Sequence, residues 1–245
     1  MLELSLKDVS AVLLVYAYII IVFLIVEKAW KGDRSAGRKI LHISMGNIVF
    51  FLWLIDHAWV AVAVAGSFIF FTLLITQRMQ CYFLSRLTFA DHGGILKKYY
   101  RKALTKLSLV SASDAGNEFG LVYYCISYTV LALLFFSQPV MIAAGILPLA
   151  YGDGLGGVIG KKFGRHKYRV FDSKSYEGSL AVFAGTVIAV FAGMVFYGIP
   201  VDEAVWKACL LGVAVSIVEA IVPGDLDNLA IPLSAVALFY LVSLW

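Results

Sequence analysis

The sequence predicts an all-α fold: a polytopic integral membrane protein of about eight transmembrane helices, with seven and nine as the bounds. Three observations predict it. Of the 245 residues, 61% are apolar and only 15% charged, against about 45–50% and about 25% in soluble domains, and the mean hydropathy is +0.88. Charge-free stretches able to cross a hydrocarbon core of about 30 Å recur along the chain. Eighteen of the twenty lysines and arginines fall in alternate connections between those stretches, the asymmetry expected of membrane helices. This composition excludes a soluble globule and a disordered chain, and five prolines exclude a collagen-like one. The cysteines, Cys81, Cys125 and Cys209, are scattered without a CxxC pair, so neither a disulfide framework nor a zinc cluster is expected. The chain reads as a single membrane-embedded domain over 1–245.

The first span lies near 10–28. It follows an acidic start, MLELSLKDVS, with no small-residue cleavage signal, and reads as a retained span. The second and third, near 40–55 and 58–76, are separated by Asp56-His57. A loop from 77 to 118 holds seven basic residues, and its segment RKALTKLSLV is either an interfacial amphipathic helix or an ordinary basic loop. The charge-free stretch 119–152 is too long for one crossing. Ser137-Gln138-Pro139 divides it into spans near 119–136 and 139–156. The last three spans lie near 179–198, 204–222 (interrupted by Lys207) and 227–244. The second, seventh and eighth are each short or interrupted. The connections about 29–39, 77–118 and 157–178, which carry the basic residues, and the short one about 223–226 are expected in the cytoplasm, and both termini outside.

Ionisable residues at span ends carry the functional signal, because burying them without a role is costly. On the predicted cytoplasmic side these are Arg38, His42, Glu118, Asp153, Glu177, Glu219, Asp225 and Asp227. Carboxylates from several helices thus meet a face already crowded with lysine and arginine, a combination suited to a divalent metal and a polyphosphate. The densest stretch is 151–179, where Asp153 is followed by Gly154, Gly156, Gly157, Gly160 and Gly164, with Lys161, Lys162, Lys167 and Lys174 at the same level. Such glycines either admit a ligand to the backbone or let helices pack closely. Glu177, three residues after Lys174, would share its face if both were helical. Gly152, Gly154 and Gly157 fit GxGxxG but follow an apolar span, not a strand, and Gly160-Lys161 lacks the rest of a Walker A motif. Asp225 and Asp227, with Asn228, are read either as magnesium ligands or as turn and cap residues. His42, one turn after Arg38, is a candidate phosphate contact or base; His57, His92 and His166 are assigned nothing.

Taken in order, these clusters resemble the polyprenol kinase family, which includes dolichol kinase and phytol kinase and is similar to the CTP transferases that make CDP-diacylglycerol. Arg38-Lys39-Ile-Leu-His42-Ile-Ser-Met-Gly46 fits the family's RKxxHxxxG opening. Glu118-Phe-Gly120 with Tyr123 and Tyr124 fits its central motif, and Gly152-Asp153-Gly154 through Gly160 and Phe163-Gly164 its GD…G…FG stretch. Lys174-Ser175-Tyr-Glu177-Gly178-Ser179 fits K[ST]xEGS, and Asp227-Asn228 with Pro232 the closing acidic motif. The compact length is more similar to phytol kinase than to dolichol kinases, which carry additional N-terminal spans. The resemblance implies a single kinase domain that phosphorylates a membrane isoprenoid alcohol with CTP and Mg2+. It implies catalytic roles for Asp153, Lys174, Glu177, Glu118 and His42. Phosphate binding would fall to Arg38, Gly154, Gly157, Gly160, Lys161, Lys162, Gly164 and Asn228, and metal binding to Asp153 with Asp225 or Asp227. The base would be Glu177, Glu118 or His42, with Glu177 favoured instead as an orienter of Lys174. The expected partners are a membrane lipid and a nucleoside triphosphate, with no nucleic acid. Gly-rich spans suit a homodimer as well as packing within one chain. Two other readings are weighed: a lipid cytidylyltransferase forming a CDP-lipid, and a small-solute transporter, which would expect mid-membrane charges and repeats.

Overall fold

The computed structural model describes residues 4–29, 34–76, 78–79, 82, 94, 98–99 and 119–244. In order these form α1 (Leu6–Ala29), α2 (Arg34–Gly46) running on as a 3-10 helix (Asn47–Leu54), and α3 (Ala58–Ile75). Then come α4 (Gly120–Phe135), α5 (Pro139–Leu147), a π-helical turn (Pro148–Asp153) and α6 (Gly154–Phe163). A hairpin of β1 (Lys167–Arg169) and β2 (Ser173–Ser175) precedes α7 (Tyr176–Phe196), α8 (Val201–Ile221), a 3-10 turn (Gly224–Leu226) and α9 (Asp227–Val242).

Among the described residues five helical segments are long and apolar enough to cross a membrane: Leu6–Val26, Pro139–Phe163, Tyr176–Phe196, Val201–Ile221 and Gly224–Val242. Three shorter apolar segments, Lys39–Leu54, Ala58–Leu74 and Gly120–Phe135, fall where the other three spans were expected. Gln138 precedes Pro139 at the first position of α5, so the long stretch divides where the Ser-Gln-Pro signal puts the break.

Several details depart from the sequence reading. The fold is not wholly helical: β1 and β2 pair antiparallel, with Tyr168 opposite Lys174. Helix α2 takes in part of the expected 29–39 loop, and α6 runs to Phe163, into the expected 157–178 loop. Lys207 does not interrupt α8; its ammonium pairs with Glu203 one turn earlier, donates to Ser243 Oγ at 3.3 Å and lies over the rings of Trp206 and Phe239. The segment 101–110, with its question of an interfacial helix, lies outside the described residues.

Helix α7 is packed between α8 on one side and α6 and the π turn on the other. Glycines permit this: a Cβ on Gly160 would sit 3.3 Å from the Cα of Gly178, and one on Gly185 would sit 2.8 Å from the carbonyl oxygen of Tyr151. The core, with Leu131, Ile142, Ile146, Leu149, Met194 and Phe239 fully buried, joins α4, α5, α7 and α9. The outside is as apolar as the inside. Leu13, Ile21 and Ile25 on α1 and Val205, Val213 and Ile217 on α8 are exposed, the pattern of helices that face lipid.

At the start of α1, Asp8 is fully buried despite its place at an end of the molecule. Its Oδ1 accepts from the backbone N–H of Asp56 (2.9 Å) and His57 (3.2 Å). Its Oδ2 accepts from the N–H of Ser5 (3.1 Å) and meets His57 Nδ1 at 2.6 Å. The carboxylate thereby ties α1 to the loop joining the 3-10 helix and α3.

Candidate active site

A cavity of about 430 Å3 opens among α1, α2 with its 3-10 extension, α3 and α4. Most of its wall is apolar. Polar groups gather at one end: Lys39 and His42 from α2, Asp153 from the π turn, Asp225 from the 3-10 turn, and Asp227 and Asn228 from the start of α9.

Asp153 is the centre of that cluster. Its side chain is buried, and its Oδ2 accepts from Lys39 Nζ at 3.0 Å and lies 3.6 Å from His42 Nε2. His42 Nε2 also lies 3.2 Å from the carbonyl oxygen of Leu149, which fixes the ring from the π turn. The edge of the Tyr124 ring packs against it at 4.7 Å. Gly157 leaves the room in which Lys39 reaches Asp153: a Cβ there would meet Lys39 Cε at 2.6 Å and Nζ at 2.8 Å.

Asp227 faces the fields of Asp153, Lys39 and Lys174, and its Oδ1 accepts from Asn228 Nδ2 at 2.6 Å. Asp225 Oδ2 accepts from the N–H of Phe119 at 2.9 Å. Gly120 makes room for it, since a Cβ there would come within 2.8 Å of Asp225 Oδ1. Lys174 is brought in by the hairpin. Asp172 at the hairpin turn accepts from the N–H of Gly224 at 2.9 Å, which docks the hairpin on the turn before α9. Lys174 Nζ pairs with Glu219 Oε1 at 2.5 Å. Burial lowers the pKa of this lysine, but Glu219, Asp227 and Asp153 outweigh burial and hold it above the ordinary lysine value.

The structure therefore brings together His42, Asp153, Lys174, Asp225, Asp227 and Asn228 from the sequence-derived set. Glu177 is elsewhere in the arrangement. Lys174 is on a strand, so the shared helical face does not exist; Glu177 receives the backbone N–H of His166 and meets its Nδ1 at 2.7 Å, closing the hairpin onto α7. The four glycines named for phosphate do not line the cavity. Gly154 packs on Ile43, Gly157 on Lys39, Gly160 on Gly178, and Gly164 against Gly160 and Ser175. Lys161 and Lys162 are exposed at the end of α6. Glu118 and the side chain of Arg38 lie outside the described residues.

Comparison with known proteins supplies the family. The chain is 31% identical over 210 residues to the phytol kinase of Synechocystis sp., covering 83% of this chain and 78% of that one. The chain belongs to the phytol kinase family. Within that family it is 25% identical over 218 residues to a probable chloroplastic phytol kinase of Triticum aestivum, covering 86% of this chain and 68% of the relative. It is 27% identical over 218 residues to the chloroplastic farnesol kinase of Arabidopsis thaliana, covering 85% and 66%. No family model and no solved structure matches the chain.

Among the described residues no group of three or more histidine, cysteine or acidic side chains forms a metal cage. The donor set nevertheless fits Mg2+, which takes one or two carboxylates and completes its shell with water and substrate phosphates. Asp153 and Asp227 both line the cavity, and Asn228 Oδ1 is buried with no partner among the described residues. Three further residues of this cluster stood in the sequence reading without a site role: Lys39 and Tyr124 only inside motifs, and Glu219 only among the span-end carboxylates. Lys39 is one helical turn from His42 at i,i+3, a spacing that would have picked it out. Glu219 is 45 residues from Lys174, and no local pattern links them. Tyr124 lines the cavity with a buried hydroxyl that finds no partner among the described residues.

Proposed function

We propose that this protein transfers the γ-phosphoryl group of CTP to the hydroxyl of a membrane isoprenoid alcohol. The observation that carries the reading is the cavity itself: an apolar chamber with three carboxylates, two lysines and a histidine gathered at or beside one end. A hydrocarbon tail suits the chamber, and a hydroxyl suits its polar mouth. The family relationship supports phosphoryl transfer, and the names of the relatives, phytol and farnesol kinase, support an isoprenoid acceptor.

The alcohol oxygen attacks the γ-phosphorus in line, the bond to the β-phosphate oxygen breaks, CDP leaves, and the hydroxyl proton passes to a carboxylate of the mouth, Asp153 or Asp227. Phosphoryl transfer of this kind is accelerated mainly by positioning and charge stabilisation. Lys39 and Lys174 supply positive charge, each on a carboxylate leash (Asp153 and Glu219) that fixes its place. The hydroxyl of Tyr124 orients the acceptor oxygen. Asp153 with Asp227 or Asp225 would hold Mg2+, whose chemistry when bound would be neutralisation of charge on the donor phosphates. By the positive-inside rule the mouth, at the level of Lys28, Lys161, Lys162 and Lys167, faces the cytoplasm and both termini face out; eight spans satisfy that arrangement.

The test is phosphate tracing with purified protein, Mg2+ and CTP labelled at either the α or the γ position, offered with C10 to C55 isoprenoid alcohols and with phosphatidic acid. Label from the γ position on an alcohol is expected. Label arriving only from the α position on phosphatidic acid would replace the kinase reading with a cytidylyltransferase.

A further inference from the structure

The cavity has a direction. Helix α3 lines it with Ala61, Ala65, Phe68, Thr72 and Thr76, a stripe repeating every three to four residues along the whole helix. Helix α1 contributes Val15, Ile19 and Phe23 in the same way, and α4 contributes Leu121, Cys125 and Tyr128. Because α1 and α3 run antiparallel to α2 and α4, Thr76 and Leu24 lie at the level of the polar mouth, Val15 lies midway beside the Tyr16–Ser67 contact, and Ala61 and Ile55 lie at the other end. Near the mouth the wall is open only between α1 and α3, where Leu24 and Phe71 are 55% and 49% exposed beside buried Thr72 and Thr76; at the far end Ala61, Leu52 and Ile55 are 4%, 5% and 9% exposed. The chamber thus opens between α1 and α3 near the carboxylates and is closed at the opposite end.

The closing residues are held in place. Ile55 immediately precedes Asp56 and His57, whose backbone N–H groups both bond to Asp8 Oδ1. Ala61 follows in the first turn of α3. From Thr76 to Ala61 is fifteen residues of helix, roughly 22 Å at about 1.5 Å per residue. A carbon chain with C–C bonds of about 1.5 Å advances about 1.3 Å per bond when extended, so the chamber takes about 16 or 17 chain carbons. Each isoprene unit contributes four carbons to the main chain, which makes about four units.

Resting on the proposed kinase reading, we infer that Leu52, Ile55 and Ala61 form a floor that limits the acceptor tail to about four isoprene units, with the Asp8–His57 contact holding the floor in position. Alcohols of C15 and C20 fit with the hydroxyl at Asp153. A longer prenol cannot seat its hydroxyl there with its tail extended in the chamber.

The test compares alcohols of C10, C15, C20, C30 and C55 in lipid nanodiscs, read both as kcat/KM and as thermal stabilisation of the protein by each alcohol without nucleotide. The wild type is expected to lose tenfold or more in both readouts between C20 and C30. Ala61→Phe should lower the C20-to-C10 ratio at least tenfold, and Ile55→Ala should raise the C30-to-C20 ratio several-fold. If Ala61→Phe does not assemble, Ile55→Ala decides. Equal use or equal binding of C20 and C55 by the wild type, or ratios unmoved in an assembled variant, would overturn the floor. Binding that falls off beyond C20 with no phosphorylation of any alcohol would keep the floor and defeat the kinase reading.

Discussion

Asp153 is buried between a lysine and a histidine, and its neighbours are chosen so that each can reach it. Asp153→Asn keeps the shape and removes the charge; turnover is expected to fall by about 100-fold or more, with helical content and detergent monodispersity unchanged. Near wild-type activity would remove Asp153 from the mechanism. Gly157 acts through Lys39, whose flexible tip occupies the space a methyl group would need. Gly157→Ala should therefore assemble normally and lower kcat by about tenfold or more, since small misplacements of a charged group are costly in a preorganised site. The same glycine was legible in the sequence only as one of a run. Packing or phosphate was equally consistent with the spacing, and the contact with Lys39 comes from another helix. Tyr124→Phe removes a hydroxyl that has no partner among the described residues. Its expected effect is a several-fold rise in KM for the alcohol with KM for CTP unchanged.

At the scale of elements, the hairpin between α6 and α7 is the least predictable piece and one of the most consequential. Strands of three residues carry too little alternation to be read from sequence, and the basic stretch 161–174 resembles an ordinary loop. What makes it a structure is a set of contacts at both ends: Tyr168 OH with Ser179 Oγ at 2.6 Å, Glu177 with His166, and Asp172 with the N–H of Gly224. Those contacts deliver Lys174 to Glu219. Because carboxylates raise the pKa of Lys174 above its ordinary value, the ion pair contributes its full stabilisation below the ordinary lysine pKa and loses it as pH rises through the raised folded value. Glu219→Gln removes the principal raising charge, so the variant should lose its Lys174-dependent activity at a lower pH than the wild type; a pH–rate profile on the alkaline side checks this. An unmoved alkaline limb would mean that Lys174 takes no part in the rate.

For the whole molecule, the placement of apolar segments was legible because hydropathy and the distribution of lysine and arginine report on the bilayer directly. The turn at Gln138-Pro139 was legible for the same reason: a 34-residue charge-free run must break somewhere, and proline marks the place. Partnership was not legible, because Lys39 with Asp153 and Asp8 with His57 join residues 114 and 49 positions apart. The proposed orientation of the mouth makes a prediction at this scale. In inside-out and right-side-out vesicles, with Cys81, Cys125 and Cys209 replaced, a single cysteine at Lys162 should react with an impermeant maleimide only from the cytoplasmic side, and one at Asp202 only from the other. Labelling of both from one side would break the span count between α6 and α8.

The π turn from Pro148 to Asp153 has an effect that reaches past Asp153. Each residue of an α-helix advances the chain by about 100° of rotation, and a π turn holds one residue more than an α turn. Everything from Gly154 onward is thus out of phase with α5 by about that angle, although the two share one continuous 25-residue segment. The phase step lets a single membrane crossing aim two faces: Ile142, Ile146 and Leu149 into the core, then Gly154 toward Ile43, Gly157 toward Lys39 and Gly156 toward Val182. Deleting one residue inside the turn would restore α-helical phase and swing all of those glycines away from their partners together, which makes a one-residue deletion there more damaging than a substitution at any one of them.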